Sequence, residues 1–361
     1  MSSRIGHFYR NIICDEQTCA NYLKSKQLLP QNEENHLTCN EVREGVSCGG
    51  DLKETTRTSK KRNSDGSFKR TVTLRCTKKG CQTFQSIRKG NQFFSYTDLN
   101  GRCNSKLTLT EIMELVWYWV YLNTVQTTVL WTGRSNHTVV DWYNLCRNVV
   151  VDCFSKRQKM GGRGCIVEID ESLFQGKRKY NRGRLLCSDQ RTGNEENEEP
   201  LNNDETEQSA EETNQRNYGS RVQGPWVFGL CWHHNDVLER RFFIVQKRDR
   251  ATLLPIIQRE VEQGTIIHSD QWKAYATLNE HGFSHKTVNH SLNFIDPSTG
   301  AHTQSIEGLW RIVKKRYGIK VNGASSLLER QLKEEWWRSL HPAMDTIFDD
   351  FLSDMKTIFL V

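Results

Sequence analysis

The chain has 361 residues, a formal charge of +7, 36% hydrophobic and 26% charged residues, enough for two or three domains and at least one large core. No run of about 18 apolar residues occurs, so no membrane span is expected, and the opening MSSRIGHFYR lacks the apolar centre of a secretory signal. The charge is unevenly spread. Asp189 to Asn217 holds ten acidic residues against two basic ones, a net of −8; with that set aside, the remaining residues carry +15. A body this basic favours a polyanionic partner such as nucleic acid over simple solubility. Twelve cysteines without an export signal point to reduced thiols, some of them on zinc, rather than to disulfides. Lys60-Lys61-Arg62 is either a solvated loop or a nuclear address.

Residues 1–100 are polar and dotted with cysteines. Arg70–Cys76 (RTVTLRC) and Thr83–Ile87 (TFQSI) alternate like strands, and the NSDG at 63–66 marks a turn before them, so a small β-rich module is expected. Residues 101–160 turn helical. Ile112, Leu115, Val116, Trp119 and Val120 share a stripe, a second helix covers Val125–Trp131 and ends at Gly133, and a third runs over Thr138–Cys153. Two helices joined by a short glycine-containing turn suit a helix-turn-helix, with Arg134, Asn136 and His137 opening its recognition helix; an ordinary helical bundle has the same spacing.

Residues 161–323 are read as strand, two further strands, helix, strand, helix, strand, helix. The strands are Cys165–Asp170, Trp226–His233, Arg241–Gln246 and Thr265–His268, with Thr287–His290 a short strand or its exit; the helices are Ala251–Gln263, Trp272–His281 and Ser305–Tyr317. This order describes an α/β mixed sheet covered by helices, on the ribonuclease-H-like plan of three antiparallel strands followed by parallel ones. A basic cluster (Lys177, Arg178, Lys179, Arg182, Arg184) after the first strand is expected to form a hairpin that holds a phosphate backbone, and the acidic insertion 189–217 is too poor in large apolar residues to fold. Residues 324–361 read as C-terminal helices.

Three short segments present acids in settings that metal-dependent phosphoryl chemistry requires. Asp170 lies in VEIDES, Asp270 in IHSDQWKAY, and Glu307 in TQSIEGLW, in the first turn of a basic helix. Two divalent cations held by carboxylates activate the attacking oxygen and stabilise the leaving one, and magnesium and manganese prefer oxygen ligands. Each acid also has a plainer explanation. Glu168 falls on the same strand face as Asp170, Asp270 would cap a following helix, and Glu307 is favourable near any helix N-terminus. On its helix Glu307 shares a face with Arg311 and Lys314, with Lys315 beside them, while Ile306, Leu309, Trp310 and Val313 point the other way.

These blocks, with WVFGLCWHH and TVNHSLNFIDPSTGAHTQSIEGLWRIVKKRYG, resemble the Merlin superfamily of DDE transposases, relatives of bacterial insertion-sequence transposases. The stretch from His302 to Trp310 is close to that family's H-T-x-x-I-E-G-x-W pattern, and 36 residues separate Asp270 from Glu307. The resemblance spans about Cys165 to Gly318. It implies that Asp170, Asp270 and Glu307 are the catalytic triad and hold two Mg²⁺ (or Mn²⁺) ions per active site, with Asn289 and His302 as auxiliary residues. The reaction it implies is cut-and-paste transposition: cleavage of double-stranded DNA at inverted-repeat ends, then strand transfer into a target. It also implies a homodimer or larger assembly, since two ends must be joined, and a nuclear address in a eukaryote or the cytoplasm otherwise. A domesticated, non-catalytic DNA-binding descendant is the alternative. Relatives often begin with a zinc ribbon, which assigns a structural Zn²⁺ to Cys39, Cys48, Cys76 and Cys81; Cys14 and Cys19 form a competing pair, and His36 could replace a thiolate. Cys146, Cys153, Cys165, Cys187 and Cys231 sit in apolar patterns and read as buried thiols.

Overall fold

A computed structural model of the chain describes residues 4–31, 37–43, 45–62, 66, 68–88, 91–96, 105–176 and 224–359. The basic cluster Lys177, Arg178, Lys179, Arg182 and Arg184, the acidic insertion 189–217, His36 and Cys187 lie outside these residues. The chain divides into two compact units, Met1–Cys153 with His341–Val361, and Phe154–Leu340.

In the first unit, α1 (Glu16–Ser25) starts at Asp15, whose side chain accepts from the Thr18 amide. A short antiparallel pair, β1 (Val42–Arg43) and β2 (Val46–Ser47), precedes a three-stranded antiparallel sheet of β3 (Leu52–Arg62), β4 (Phe68–Cys76) and β5 (Phe84–Ser86). β3 reads LKETTRTSKKR, a run without apolar alternation, which is why its sequence gives no strand signal. It forms because β4 pairs with it from Leu52↔Cys76 to Thr58↔Arg70 and so satisfies its backbone. Three helices follow. In α2 (Leu109–Val120) Thr108 and Glu111 close a capping box. α3 (Val125–Thr132) ends at Gly133, where φ is +65°. α4 (Asn136–Ser155) starts behind Ser135, whose hydroxyl accepts from the Thr138 amide. The C-terminal helix Ile347–Ile358 belongs to this unit: Phe348 packs on Trp117 (ring centroids 5.0 Å apart) and Phe351 on Trp119 (5.0 Å).

The second unit is built on a mixed five-stranded sheet. β6 (Ile166–Leu173), β7 (Trp226–His234) and β8 (Val237–Val245) form an antiparallel meander; β9 (Ile266–Asp270) runs parallel to β6, and β10 (Ser284–Val288) parallel to β9, giving the order β10-β9-β6-β7-β8. Both faces are covered. Val167, Ile169, Phe228, Leu230 and Ile267 share one core with Leu253 and Ile257 of α5 (Arg250–Glu260). Val227, Cys231 and Phe242 share the other with Ile306, Leu309, Trp310 and Val313 of α6 (Gln304–Arg316) and Leu328 and Leu332 of α7 (Leu328–Leu340). Burying each such side chain contributes roughly 1.5–3 kcal/mol.

Two expected elements differ. The helix over Trp272–His281 is instead two 3-10 turns, Lys273–Tyr275 and Leu278–His281, stopped at Gly282 with φ +83°. The buried residues of the two turns, Tyr275 and Leu278, are three apart, the repeat of a 3-10 turn rather than of a longer α-helical stripe. The helix expected to reach Gln263 ends at Glu260, because Val261 joins Met160 in a parallel bridge. Among the described residues no helix is long and apolar enough to cross a membrane.

Candidate functional site

β6 and β9 pair in parallel as Ile166↔Ile266, Val167↔Ile267 and Glu168↔His268. This paired register ends two residues before Asp170 and Asp270, which follow on strands that run in the same direction. Asp170 sits on the face that α6 covers, and Glu307 lies in the first turn of α6. The Asp170 carboxyl is pushed up to about 6, first by burial and then by the charges of Asp270 and Glu307, against hydrogen bonds from the Trp310 indole and the Glu171 amide. The three acids are therefore electrostatically coupled. They stand wider apart than a closed single-ion cage: among the described residues, the cysteine quartet below is the one set of three or more Cys, His, Asp and Glu whose ligating atoms all lie within 4.8 Å of one another. Hard oxygen donors that repel one another when charged suit divalent cations, with room left for water or phosphate.

Each acid is held differently. Asp170 Oδ2 accepts from Trp310 Nε1 at 2.8 Å. Asp270 Oδ1 accepts from the Trp272 amide at 3.0 Å. Glu307 is 47% exposed in its side chain; its Oε1 accepts from the buried Thr303 hydroxyl at 2.8 Å and lies 3.4 Å from His290 Nε2. Thr303 Oγ1 is also 2.9 Å from His290 Nε2, so the threonine links ring and carboxylate.

Glu168, the rival to Asp170, has a separate task. Its oxygens accept from the Ser305 amide (2.9 Å), the Ile306 amide (3.2 Å) and the Ser305 hydroxyl (2.7 Å). It thus caps α6 from a neighbouring strand, a role Thr303 at the N-cap position does not fill with its own side chain. Glu171 points to the opposite face of β6 and is raised to about 8 by burial and then by Asp170 and Asp270, against the Arg248 charge. The Arg248 guanidinium lies 3.7 Å from the centre of the Trp226 ring.

His302 and Asn289, expected to assist, make contacts of their own; Asn289 directly follows Val288, the register partner of Asp270. His302 Nδ1 is 3.5 Å from Glu168 Oε1, and its ring lines a cavity of about 740 Å³ with Glu168, Cys231, His233, His234 and Ser305, none of them one of the three acids. Asn289 closes a turn by accepting from the Ser291 amide at 3.0 Å. The neighbours His290 and Thr303 contact Glu307 instead. Their signal in the sequence was only adjacency, since the side-chain direction of loop residues follows no period.

Among the basic residues, Arg311 and Lys315 are exposed. Lys314 is turned inward, its Nζ donating to Ser172 Oγ at 2.7 Å, and burial lowers its pKa. At the start of α4, Asn136 and His137 are exposed, whereas Arg134 is 19% exposed and paired with Glu111 at 3.1 Å.

In the first unit the sulfurs of Cys39, Cys48, Cys76 and Cys81 come together. Cys39 lies 3.8 Å from Cys81 and Cys48 lies 3.7 Å from Cys76. A tetrahedron with Zn–S bonds of about 2.3 Å has edges of about 3.8 Å, so donor set and spacing fit zinc. Gly49 turns at φ +62°, and a Cβ on Gly50 would fall 2.9 Å from Cys76 Sγ and 2.6 Å from Lys78 Cβ. The Thr83 hydroxyl and amide pull the Cys81 thiol down to about 6, favouring the thiolate that a metal needs. Cys14 is exposed and bonded to Asp15, and Cys19 is buried within α1, so neither joins the quartet. Cys146 and Cys231 are buried, while Cys153 and Cys165 are only partly so.

The ISXO2-like transposase domain matches residues 161–339, within the second unit. An "Uncharacterized transposase-like protein" of Haemophilus influenzae is 34% identical over 96 residues, which are 26% of this chain and 76% of that protein. Among solved structures, the Mos1 strand transfer complex aligns over 65% of this chain and 71% of that chain at 9% identity and a TM-score of 0.24. A pre-cleavage Mos1 transpososome aligns over 73% and 85% at 11% identity and a TM-score of 0.22. Structural likeness that distant carries no argument about fold or site. The class defined by the sequence relationships is the transposases. Within it, the chain belongs with the transposase-like proteins, and its residues 161–339 match the ISXO2-like transposase domain.

Proposed function

We propose that this chain is a cut-and-paste DDE transposase of the Merlin type, with Asp170, Asp270 and Glu307 as its catalytic triad on a ribonuclease-H-like sheet. One observation carries this reading: Asp170 is bonded to Trp310 of the helix that bears Glu307, and it feels the charges of both Asp270 and Glu307. The order of three antiparallel strands followed by two parallel ones supports the ribonuclease-H-like plan. Two Mg²⁺ or Mn²⁺ ions, when bound, supply activation of the attacking oxygen and stabilisation of the leaving one. Asp170 and Asp270 would hold both ions and Glu307 would complete one shell. Thr303 and His290 keep the Glu307 carboxylate in one orientation. Exposed Arg311 and Lys315 offer positive charge to DNA phosphates near the acids. α3, the Gly133 turn and α4 would act as a helix-turn-helix, with Asn136 and His137 free to meet DNA. The cysteine quartet would hold a structural zinc that folds the ribbon. Two transposon ends must be handled together, so the working form is a dimer or larger.

The test uses purified protein, Mg²⁺ and end-labelled duplexes carrying the inverted repeats that flank its own coding sequence. We expect end cleavage by the unmodified protein and none by Asp270→Asn. Equal nicking by both would remove Asp270 from the chemistry. Specific binding without cleavage by either would leave a DNA-binding protein.

A further inference from the structure

We infer that Trp310 is a positioning residue for Asp170, and that position 229 is glycine so that Trp310 can reach it. This rests on the reading of Asp170 as a cation ligand. Trp310 lies in the apolar stripe of α6 beside Ile306, Leu309 and Val313 and is 6% exposed. Burial alone would be satisfied by any large apolar side chain. A buried indole N–H, however, requires a partner, and here it has Asp170 Oδ2 at 2.8 Å.

The reach depends on the adjacent strand. Gly229 of β7 is the register partner of Asp170 on β6. Its neighbours on the same face, Val227 and Cys231, fill the core under α6. At Gly229 a Cβ would come 2.5 Å from Trp310 Cη2, 2.7 Å from Cζ2 and 2.9 Å from Ile306 Cδ1. Gly229 has no left-handed φ, so backbone freedom does not explain it; the space does. The indole occupies the row where β7 has no side chain, and its N–H edge projects to the next strand. Phe242 (5.0 Å between ring centroids) and Phe174 (5.9 Å, edge-on) flank the ring. With Oδ2 committed to a donor this firmly packed, the carboxylate cannot rotate freely, and its remaining lone pairs are held in a fixed direction for a cation. Outer hydrogen-bond partners of metal-ligating groups are typically worth about 10–100-fold in metal affinity or activity.

The experiment titrates Mn²⁺ calorimetrically into the full chain and into Trp310→Phe, Gly229→Ala and Asp170→Asn, with thermal melting as a check of folding and end cleavage measured against Mn²⁺ concentration. Trp310→Phe keeps an aromatic ring and loses only the donor. It should melt cooperatively, bind Mn²⁺ about 10–100-fold more weakly, and regain much of its cleavage as Mn²⁺ is raised. A side chain with a purely packing role would not show that recovery. Gly229→Ala should reproduce the weakening without removing any polar atom. Wild-type Mn²⁺ affinity in Trp310→Phe, alongside a loss in Asp170→Asn, would overturn the inference and leave the triad standing. Unchanged affinity in Asp170→Asn would overturn the reading of Asp170 itself. Should Trp310→Phe not fold, Gly229→Ala decides, and wild-type affinity there counts against the inference.

Discussion

The cysteine quartet and the acid trio, if they hold cations as proposed, would do so in two different ways. The quartet is compact: four soft donors within 4.8 Å, beside a turn where Gly49 has a positive φ and a side chain on Gly50 would run into Cys76. The trio is open. Its hard donors raise one another's energy, Asp170 is pushed up to about 6, and Glu307 remains half exposed. A closed site that completes its ion's coordination serves folding, whereas an open one leaves positions for the reacting oxygens. The contrast teaches that clustering alone does not mark chemistry; incomplete, mutually repelling ligation does.

The largest expected effect is on the closed site. Cys76→Ser should abolish stoichiometric zinc in elemental analysis and unfold the sheet of β3, β4 and β5, since structural zinc contributes on the order of 10 kcal/mol to small zinc domains. A variant that keeps both its zinc and its fold would break the comparison. At the open site the sign reverses, and removing a ligand should stabilise the metal-free protein. The folded-state pKa of Asp170 is raised from 3.8 to about 6, so its contribution to stability is fully present below about 3.8 and is lost as pH rises through 6. Asp170→Asn should therefore melt higher than the unmodified protein above pH 6, by up to about 3 kcal/mol, with the gap closing in acid. Mn²⁺ affinity should follow the opposite course, rising with pH to about 6 and levelling off; a flat profile from pH 5 to 8 would detach Asp170 from the metal. Next in size, Thr303→Val removes the hydroxyl between His290 and Glu307. A hydrogen bond to a charged group is worth about 1.5–3 kcal/mol, so cleavage should slow by about tenfold or more at unchanged DNA affinity. The smallest effect is at the exposed rim: Arg311→Ala should lower the slope of log DNA affinity against log salt by about one phosphate contact.

Parts of this architecture were legible because they follow a period. The stripe of Ile306, Leu309, Trp310 and Val313 on α6 is buried as its 3.6-residue spacing requires. Val167 and Ile169 alternate into one core. Other parts follow none. β3 is polar along its length and becomes a strand only because β4 pairs with it. The choice between Glu168 and Asp170 is invisible along the chain, because both fall on one strand face. What separates them is what lies opposite: the amides of Ser305 and Ile306 over Glu168, the indole of Trp310 over Asp170. Trp310 itself read as apolar filling because its polar atom carries no weight in a hydrophobic pattern. Lys314 and Arg134 read as candidate DNA contacts, and nothing in the sequence foretold that one binds Ser172 and the other Glu111.

By itself, then, the amino-acid order determined the type of the elements that follow a period, their apolar faces, and which residues have the chemistry to hold an ion, because helix and strand periods and donor character are local properties. Tertiary structure alone decided the partnerships: Gly50 beneath Cys76, Gly229 beneath Trp310, Thr303 beside Glu307, and Asp170 within reach of the Asp270 charge across 100 positions of chain. Those depend on strand register and on helix docking, and both are set by side chains distant in sequence competing for the same few ångströms of space.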